Sequence, residues 1–321
     1  MFHWNKLGKI FDPTDITDRT WLNEFAQAPS VLVFDTFVRV YFSCRPKPDE
    51  KGQYVSYTAF VDLKRDNLFE ILNVSKEPIL QLGDLGTFDE FGIYPASVIR
   101  NGDSVNVYYT GHTRCESVPF NTAIGFAVSN NDGETFNKMG TGPVLSYSPN
   151  EPFALSGPKI RKFNNVWYLW YIAGRKWIVP EGKPELIYRI RMATSADGLN
   201  WTKMDRNIIE EKLGENEVQA CPDVFFKNDK YHMFFCYMVT PDFRKDSSKA
   251  YRIGYASSTD LLNWNRDDTK AGITVSREGW DSEMISYPHL FDLDGKTYMF
   301  YLGNQVGKYG FGLAQLEGTL S

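Results

Sequence analysis

Short apolar runs broken by polar turns recur along the chain, and each recurrence starts at a proline. The prolines are Pro29, Pro95, Pro158, Pro222 and Pro288, spaced 66, 63, 64 and 66 residues apart. After each comes an apolar run, such as Ser30-Val31-Leu32-Val33, Ser97-Val98-Ile99 or Val224-Phe225-Phe226, and then a polar turn: Asn101-Gly102-Asp103, Asn164-Asn165, Asn228-Asp229 or Asp294-Gly295. Apolar runs separated by such turns predict β-hairpins. A second strand ends in paired aromatics, Tyr41-Phe42, Tyr108-Tyr109, Trp170-Tyr171, Phe234-Phe235 and Phe300-Tyr301, whose second member falls 13 residues after the proline, or 14 in the second repeat. A third strand carries small residues, as in Ile124-Gly125-Phe126-Ala127 and Ile253-Gly254-Tyr255-Ala256. A fourth opens Phe136-Asn137-Lys138, Trp201-Thr202-Lys203 or Trp264-Asn265-Arg266. A lone four-stranded sheet cannot bury both faces, whereas sheets stacked radially do.

The fifth unit runs out after three strands, and Trp4-Asn5-Lys6 at the other end reads like Trp264-Asn265-Arg266. The pattern therefore predicts an all-β, five-bladed β-propeller with four antiparallel strands per blade, its ring closed by the N-terminal strand. One domain over 1–321 is expected, with blades near 20–80, 86–146, 151–210, 214–276 and 280–318 plus 1–12.

Composition narrows the function classes. Aromatics make up 15% of the chain, which suits strand packing and also sugar stacking. A net charge of −5 without a basic run argues against nucleic acid as the partner. No stretch approaches the length of a membrane span, and residues 1–11 lack a secretory apolar core. Cys44, Cys115, Cys221 and Cys236 show no CxxC spacing, so free thiols and a cytoplasmic setting are expected. No phosphate-binding glycine loop, nucleophile elbow or zinc spacing occurs, so no metal and no cofactor is expected.

The chemistry is expected where the inner strands begin. Glu24, Glu90, Glu217 and Glu283 each stand five residues before a proline; the third repeat has Phe153 there and Glu151 nearby. Tyr94 and Tyr287 immediately precede prolines, and Asp89 and Asp281 flank the glutamates. Crowded carboxylates raise one another's pKa, which suits a general acid, although each glutamate equally serves as a loop cap or ion-pair partner. The segments after the aromatic pairs bring Arg45, His112, Arg114, Arg175, Trp177 and Asn304 to the same face. Guanidinium forks there would neutralise the glutamates or hold a phosphate or carboxylate. Trp177 would stack on a sugar ring.

These features resemble the five-bladed propeller glycosidases, the superfamily of glycoside hydrolase families 32, 43, 68 and 130. The resemblance rests on the five-unit rhythm, on Ser195-Ala196-Asp197-Gly198-Leu199-Asn200-Trp201 and on Cys221-Pro222-Asp223-Val224-Phe225. It implies two acidic catalytic residues at inner-strand starts and a carbohydrate substrate. Where branches of that superfamily carry acids, this chain has Ala28, Ser156 and Ala220. Gly279-Trp280-Asp281-Ser282-Glu283-Met284 and Phe88-Asp89-Glu90-Phe91-Gly92 are similar to propeller proteins associated with bacterial surface-polysaccharide synthesis.

The expected function is therefore a glycosidase-like enzyme cleaving or transferring a glycosidic bond, with Glu24, Glu90, Glu217 and Glu283 as candidate acid and base. A carboxyl separation of about 5–5.5 Å would give retention, and roughly 6.5–9.5 Å inversion. Two alternatives stay open: a phosphate-dependent phosphorylase or transferase acting on an anionic or phosphorylated carbohydrate, and a non-catalytic carbohydrate-binding propeller in polysaccharide biosynthesis.

Overall fold

The computed structural model describes residues 1–320, with the side chain of Pro95 outside the described set. The innermost hairpins turn on the residues the pattern marks. Asn164-Asn165 (φ 49° and 62°), Asn228-Asp229 (50° and 55°) and Asp294-Gly295 (51° and 77°) are each left-handed at both positions. That is the type I′ geometry whose twist matches the flanking strands.

The first strand, β1 (His3–Phe11), precedes all five units. Blade one holds β2 (Glu24–Val33), β3 (Phe37–Arg45), β4 (Tyr57–Lys64) and β5 (Asn67–Val74). Blade two holds β6 (Ile93–Asn101), β7 (Ser104–Arg114), β8 (Phe120–Ser129) and β9 (Asn137–Lys138). Blade three holds β10 (Leu155–Phe163), β11 (Val166–Ile178), β12 (Glu185–Ser195) and β13 (Thr202–Lys203). Blade four holds β14 (Glu217–Lys227), β15 (Lys230–Val239), β16 (Arg252–Ser258) and β17 (Asn265–Arg266). Blade five holds β18 (Ser286–Leu293), β19 (Lys296–Leu302) and β20 (Phe311–Glu317). Its outer edge is β1, which pairs antiparallel with β20 (Trp4 opposite Leu316) and closes the ring. The molecule is thus the five-bladed, four-stranded propeller that the repeat predicts.

The paired aromatics hold neighbouring blades together. Adjacent strand residues point to opposite faces, so one member packs forward and the other back. Tyr41 joins the core between blades one and two while Phe42 joins that between five and one. Trp170 likewise joins the core between blades three and four, and Tyr171 that between blades two and three. All ten are at most 1% exposed, so these aromatics are packing residues. Burying each phenylalanine contributes about 1.5–3 kcal/mol. Gly125 and Gly254 clear these rings, since a Cβ there would come within 2.4 Å of Tyr109 and 2.7 Å of Phe235.

Around the axis, polar side chains at the start of each inner strand latch one blade to the next. Ser30 Oγ accepts the Val98 N–H (3.1 Å), and Ser97 Oγ accepts that of Ile160 (3.2 Å). Arg161 Nε donates to the Val224 carbonyl (3.0 Å), Asp223 Oδ2 accepts the Leu290 N–H (2.5 Å), and His289 Nε2 accepts that of Val31 (3.1 Å). On the other side of the ring His289 Nδ1 lies 3.1 Å from Lys159 Nζ. Burial holds His289 well below its ordinary pKa and lowers that of Lys159. The axis is therefore filled with hydrogen-bonded side chains, and the open space lies above it at the mouth.

Candidate functional site

The mouth is shaped by a bulge in every inner strand. The ladder slips at each proline: between Gln27 and Ser30, Ile93 and Ala96, Ser156 and Lys159, Ala220 and Asp223, and Ser286 and His289. The residue before the proline is left-handed in four blades: Ala28 (53°), Gly157 (63°), Cys221 (47°) and Tyr287 (54°). Such a backbone costs a non-glycine residue of order 1–3 kcal/mol and re-aims its side chain. Tyr94, Gly157, Cys221 and Tyr287 all line one cavity of about 840 Å³, a volume suited to a small ligand.

The floor of this cavity is phenolic. Tyr94 and Tyr287 share a hydrogen bond between hydroxyls (2.8 Å), as do Tyr188 and Tyr251 (2.8 Å). Burial pushes Tyr94 up to about 12 and raises the other three as well, so all four stay protonated hydrogen-bonding groups. His112 Nε2 lies 3.2 Å from the Tyr94 carbonyl; burial and then the charge of Arg45 lower its pKa to about 4. That ring is neutral near pH 7.

Cations line the wall. Arg45 stands over Tyr94 (5.1 Å), Tyr54 (5.3 Å) and Phe25 (4.5 Å) and donates to Gln27 Oε1 (3.2 Å). It makes no ion pair among the described residues, and its Nε is buried without a hydrogen-bond partner. Arg114 covers Phe91 (4.5 Å) and reaches Asp49 only at 3.8 Å. Trp177 packs edge-on to Phe120 at the same wall. Lys308 and Arg244 also line the cavity but are paired, with Glu24 (3.4 Å) and Glu185 (3.1 Å).

The four candidate glutamates share a sequence offset and not a place. Glu283 lines the cavity, exposed, and its carboxylate has no hydrogen bond or ion pair among the described residues. Glu24 lies at the rim outside the lining residues, bound to the Tyr54 hydroxyl (2.8 Å) and Lys308. Glu90 accepts the Gly86 N–H (2.9 Å) within its own turn. Glu217 is wholly buried against Arg266 (2.6 Å) and accepts the N–H groups of Lys212 and Leu213 (2.8 Å each).

Asp89 and Asp281 are likewise held in buried ion pairs away from the cavity lining. Asp89 is buried with Lys138 (2.6 Å) and the Tyr109 hydroxyl (3.0 Å); Asp281 is buried with Lys6 (2.7 Å) and the Tyr301 hydroxyl (3.0 Å). Glu151 repeats the arrangement with Lys203 (2.6 Å) and Tyr171 (2.9 Å). In blades two to five an acid at or just before the start of the inner strand thus ties down a basic residue of the outer strand. Bulges and turns of different length put that acid six, seven, five and seven residues before its proline, which is why a fixed offset of five finds only Glu217 among the four. Arg175 is exposed and donates to the Asn150 carbonyl, away from the cavity. Asn304 lies behind Glu283, accepting the Glu283 N–H (2.8 Å). Arg45, Tyr94, His112, Arg114, Trp177, Glu283 and Tyr287 are the candidates that the cavity brings together.

Tyr54, Tyr188, Tyr251 and Lys308 escape the sequence reading. Tyr188 and Tyr251 do carry a signal: each stands two residues before the isoleucine of an Ile-x-x-Ala run in the third strand of its repeat, Ile190 to Ala193 and Ile253 to Ala256. Tyr54 and Lys308 lie in non-repeating loops.

The five-bladed ring is a fold shared with solved glycoside hydrolases. The chain belongs to the family described as the glycosyl hydrolases family 32 N-terminal domain, whose model matches residues 75–256. It is 36% identical to the Mycobacterium tuberculosis (strain H37Rv) protein named Uncharacterized protein Rv1502, over 98% of this chain and 99% of that one. It is 27% identical to a β-1,2-mannobiose phosphorylase of Thermoanaerobacter sp. (strain X514), over 45% of this chain and 48% of that one. Among solved structures, one titled glycoside hydrolase superposes with a TM-score of 0.76 at 16% identity, covering 98% of this chain and 92% of the other. No helix among the described residues is long and apolar enough to cross a membrane.

Proposed function

We propose that the protein is a carbohydrate-active enzyme that transfers a glycosyl unit between a sugar and phosphate. The observation that carries this reading is the charge inventory of the cavity: one unpaired carboxylate, Glu283, facing a wall with the unpaired Arg45 and the loosely paired Arg114. Hydrolysis with paired carboxylates needs a second group to activate water or attack the sugar. Phosphorolysis needs one protein acid, because phosphate is itself the nucleophile. Here Glu283 would protonate the departing glycosidic oxygen as the C–O bond breaks, and a phosphate oxygen held by Arg45 and Arg114 would bond to the anomeric carbon. Guanidinium forks match phosphate geometry. The neutral phenols of Tyr94, Tyr188, Tyr251 and Tyr287 would bind sugar hydroxyls. The partial similarity to a mannobiose phosphorylase agrees with this chemistry.

The test is a panel of manno- and glucodisaccharides incubated with and without inorganic phosphate. Sugar 1-phosphate formed only with phosphate present is expected; cleavage at equal rate without phosphate would overturn the phosphate role. A second reading, a glycan-binding propeller of a polysaccharide-assembly system, is favoured by Ala28, Ser156 and Ala220, non-acidic residues beside the prolines, of which Ser156 and Ala220 line the cavity. Saturable glycan binding without turnover in either condition would support it.

A further inference from the structure

The segment Gly303–Gly310 separates the central cavity from a second hollow. This cleft, of about 130 Å³, is lined by Trp280, Glu283, Asn304, Gln305, Tyr309 and Gly310. Glu283 and Gln305 line both spaces, so the two meet at the unpaired carboxylate.

The cleft is held in place from several sides. Trp280 lies on Tyr301 (centroids 5.1 Å apart), and Gly303 and Gly312 make room for it, since a Cβ on either would come within 2.4 Å of its ring. Asn304 accepts the N–H groups of Glu283 (2.8 Å) and Met284 (3.3 Å) and donates to the Gly279 carbonyl (3.1 Å), which fixes the backbone carrying Glu283. Gln305 and Val306 are both left-handed (53° and 54°), an outlying conformation for a β-branched residue. The Gln27 side chain pins that strained turn by donating to the Val306 carbonyl (2.5 Å). Tyr309 is 44% exposed, an aromatic ring at the open side of the cleft.

We propose that this cleft is an outer sugar subsite, and that the substrate is an oligosaccharide whose chain leaves the cavity past Glu283 and lays its next ring against Trp280 and Tyr309. The proposal rests on the carbohydrate reading of the cavity. Aromatic faces take the C–H surfaces of a pyranose, while Gln305 and Glu283 offer hydrogen bonds to its hydroxyls. The linkage acted on is then the one adjoining Glu283, with further sugars running outward past Tyr309.

Crystals soaked in concentrated D-mannose, and separately in D-glucose, test this. A ring in the cleft against Trp280 or Tyr309, lost in crystals of the exposed-site variant Tyr309→Ala, is the expected result. A sugar in the central cavity but not in the cleft overturns the subsite and leaves the cavity reading standing. A sugar in neither place overturns both, and a cleft sugar that keeps full occupancy in Tyr309→Ala overturns the aromatic recognition.

Discussion

The blade interiors and the channel mouth use carboxylates in opposite ways. Inside the blades, Asp89, Glu151, Glu217 and Asp281 are at most 2% exposed, and each is met by a cation within 2.7 Å. At the mouth, Glu283 is exposed, and its carboxylate is unpaired among the described residues. A buried charge survives only when its partners are supplied, and once supplied it has no oxygen left for a substrate. The unpaired carboxylate keeps both oxygens free. An acid's partners therefore separate the two roles better than its position in the repeat does.

Breaking a blade strut is expected to have the largest effect on folding. Glu217→Ala leaves the buried Arg266 with Asp268 as its one carboxylate and strips the Lys212 and Leu213 N–H groups of their acceptor, and should cost about 3–5 kcal/mol in urea denaturation. A change under about 1 kcal/mol would mean the pair is dispensable. Acidification should act next, through the buried histidines. His112 and His289 both titrate below the ordinary value of 6.5, so the unfolded chain takes up their protons first. Stability is then full above about pH 6.5 and declines toward pH 4, by up to about 1.4 kcal/mol per pH unit for each ring. Urea midpoints across that window should flatten in His289→Asn.

Removing one axial latch is smaller. Ser97→Ala strips the Ile160 N–H of its acceptor and should cost about 1–3 kcal/mol, read from the same denaturation curves. Glu90→Gln should change stability by less than about 0.5 kcal/mol, because its one contact is a surface turn. A large loss there would erase the distinction drawn between Glu90 and Glu217.

The fold was legible in the sequence because its signals are local and repeated. Asn164-Asn165 and Asp294-Gly295 dictate their turns by backbone preference alone, and the aromatic pairs recur at one offset because every blade packs on the next. The spare Trp4-Asn5-Lys6 marks the ring closure, and its Lys6 is the cation of the strut in blade five. The site was legible only in part. Tyr94 and Tyr287 line the mouth because a bulge at the proline aims the preceding residue into it. The acids were misaligned because loop length varies before each inner strand, so equal offsets in sequence meet different partners in space. Tyr54 and Lys308 come from loops that obey no repeat.

The most direct test sets Glu283→Gln beside the wild type, measuring phosphate-dependent turnover and thermal unfolding in the same preparations. A fall in turnover of about 10²–10⁴-fold with an unchanged melting temperature is the expected result. Full turnover in the variant would contradict the assignment of Glu283 as the acid at the channel mouth.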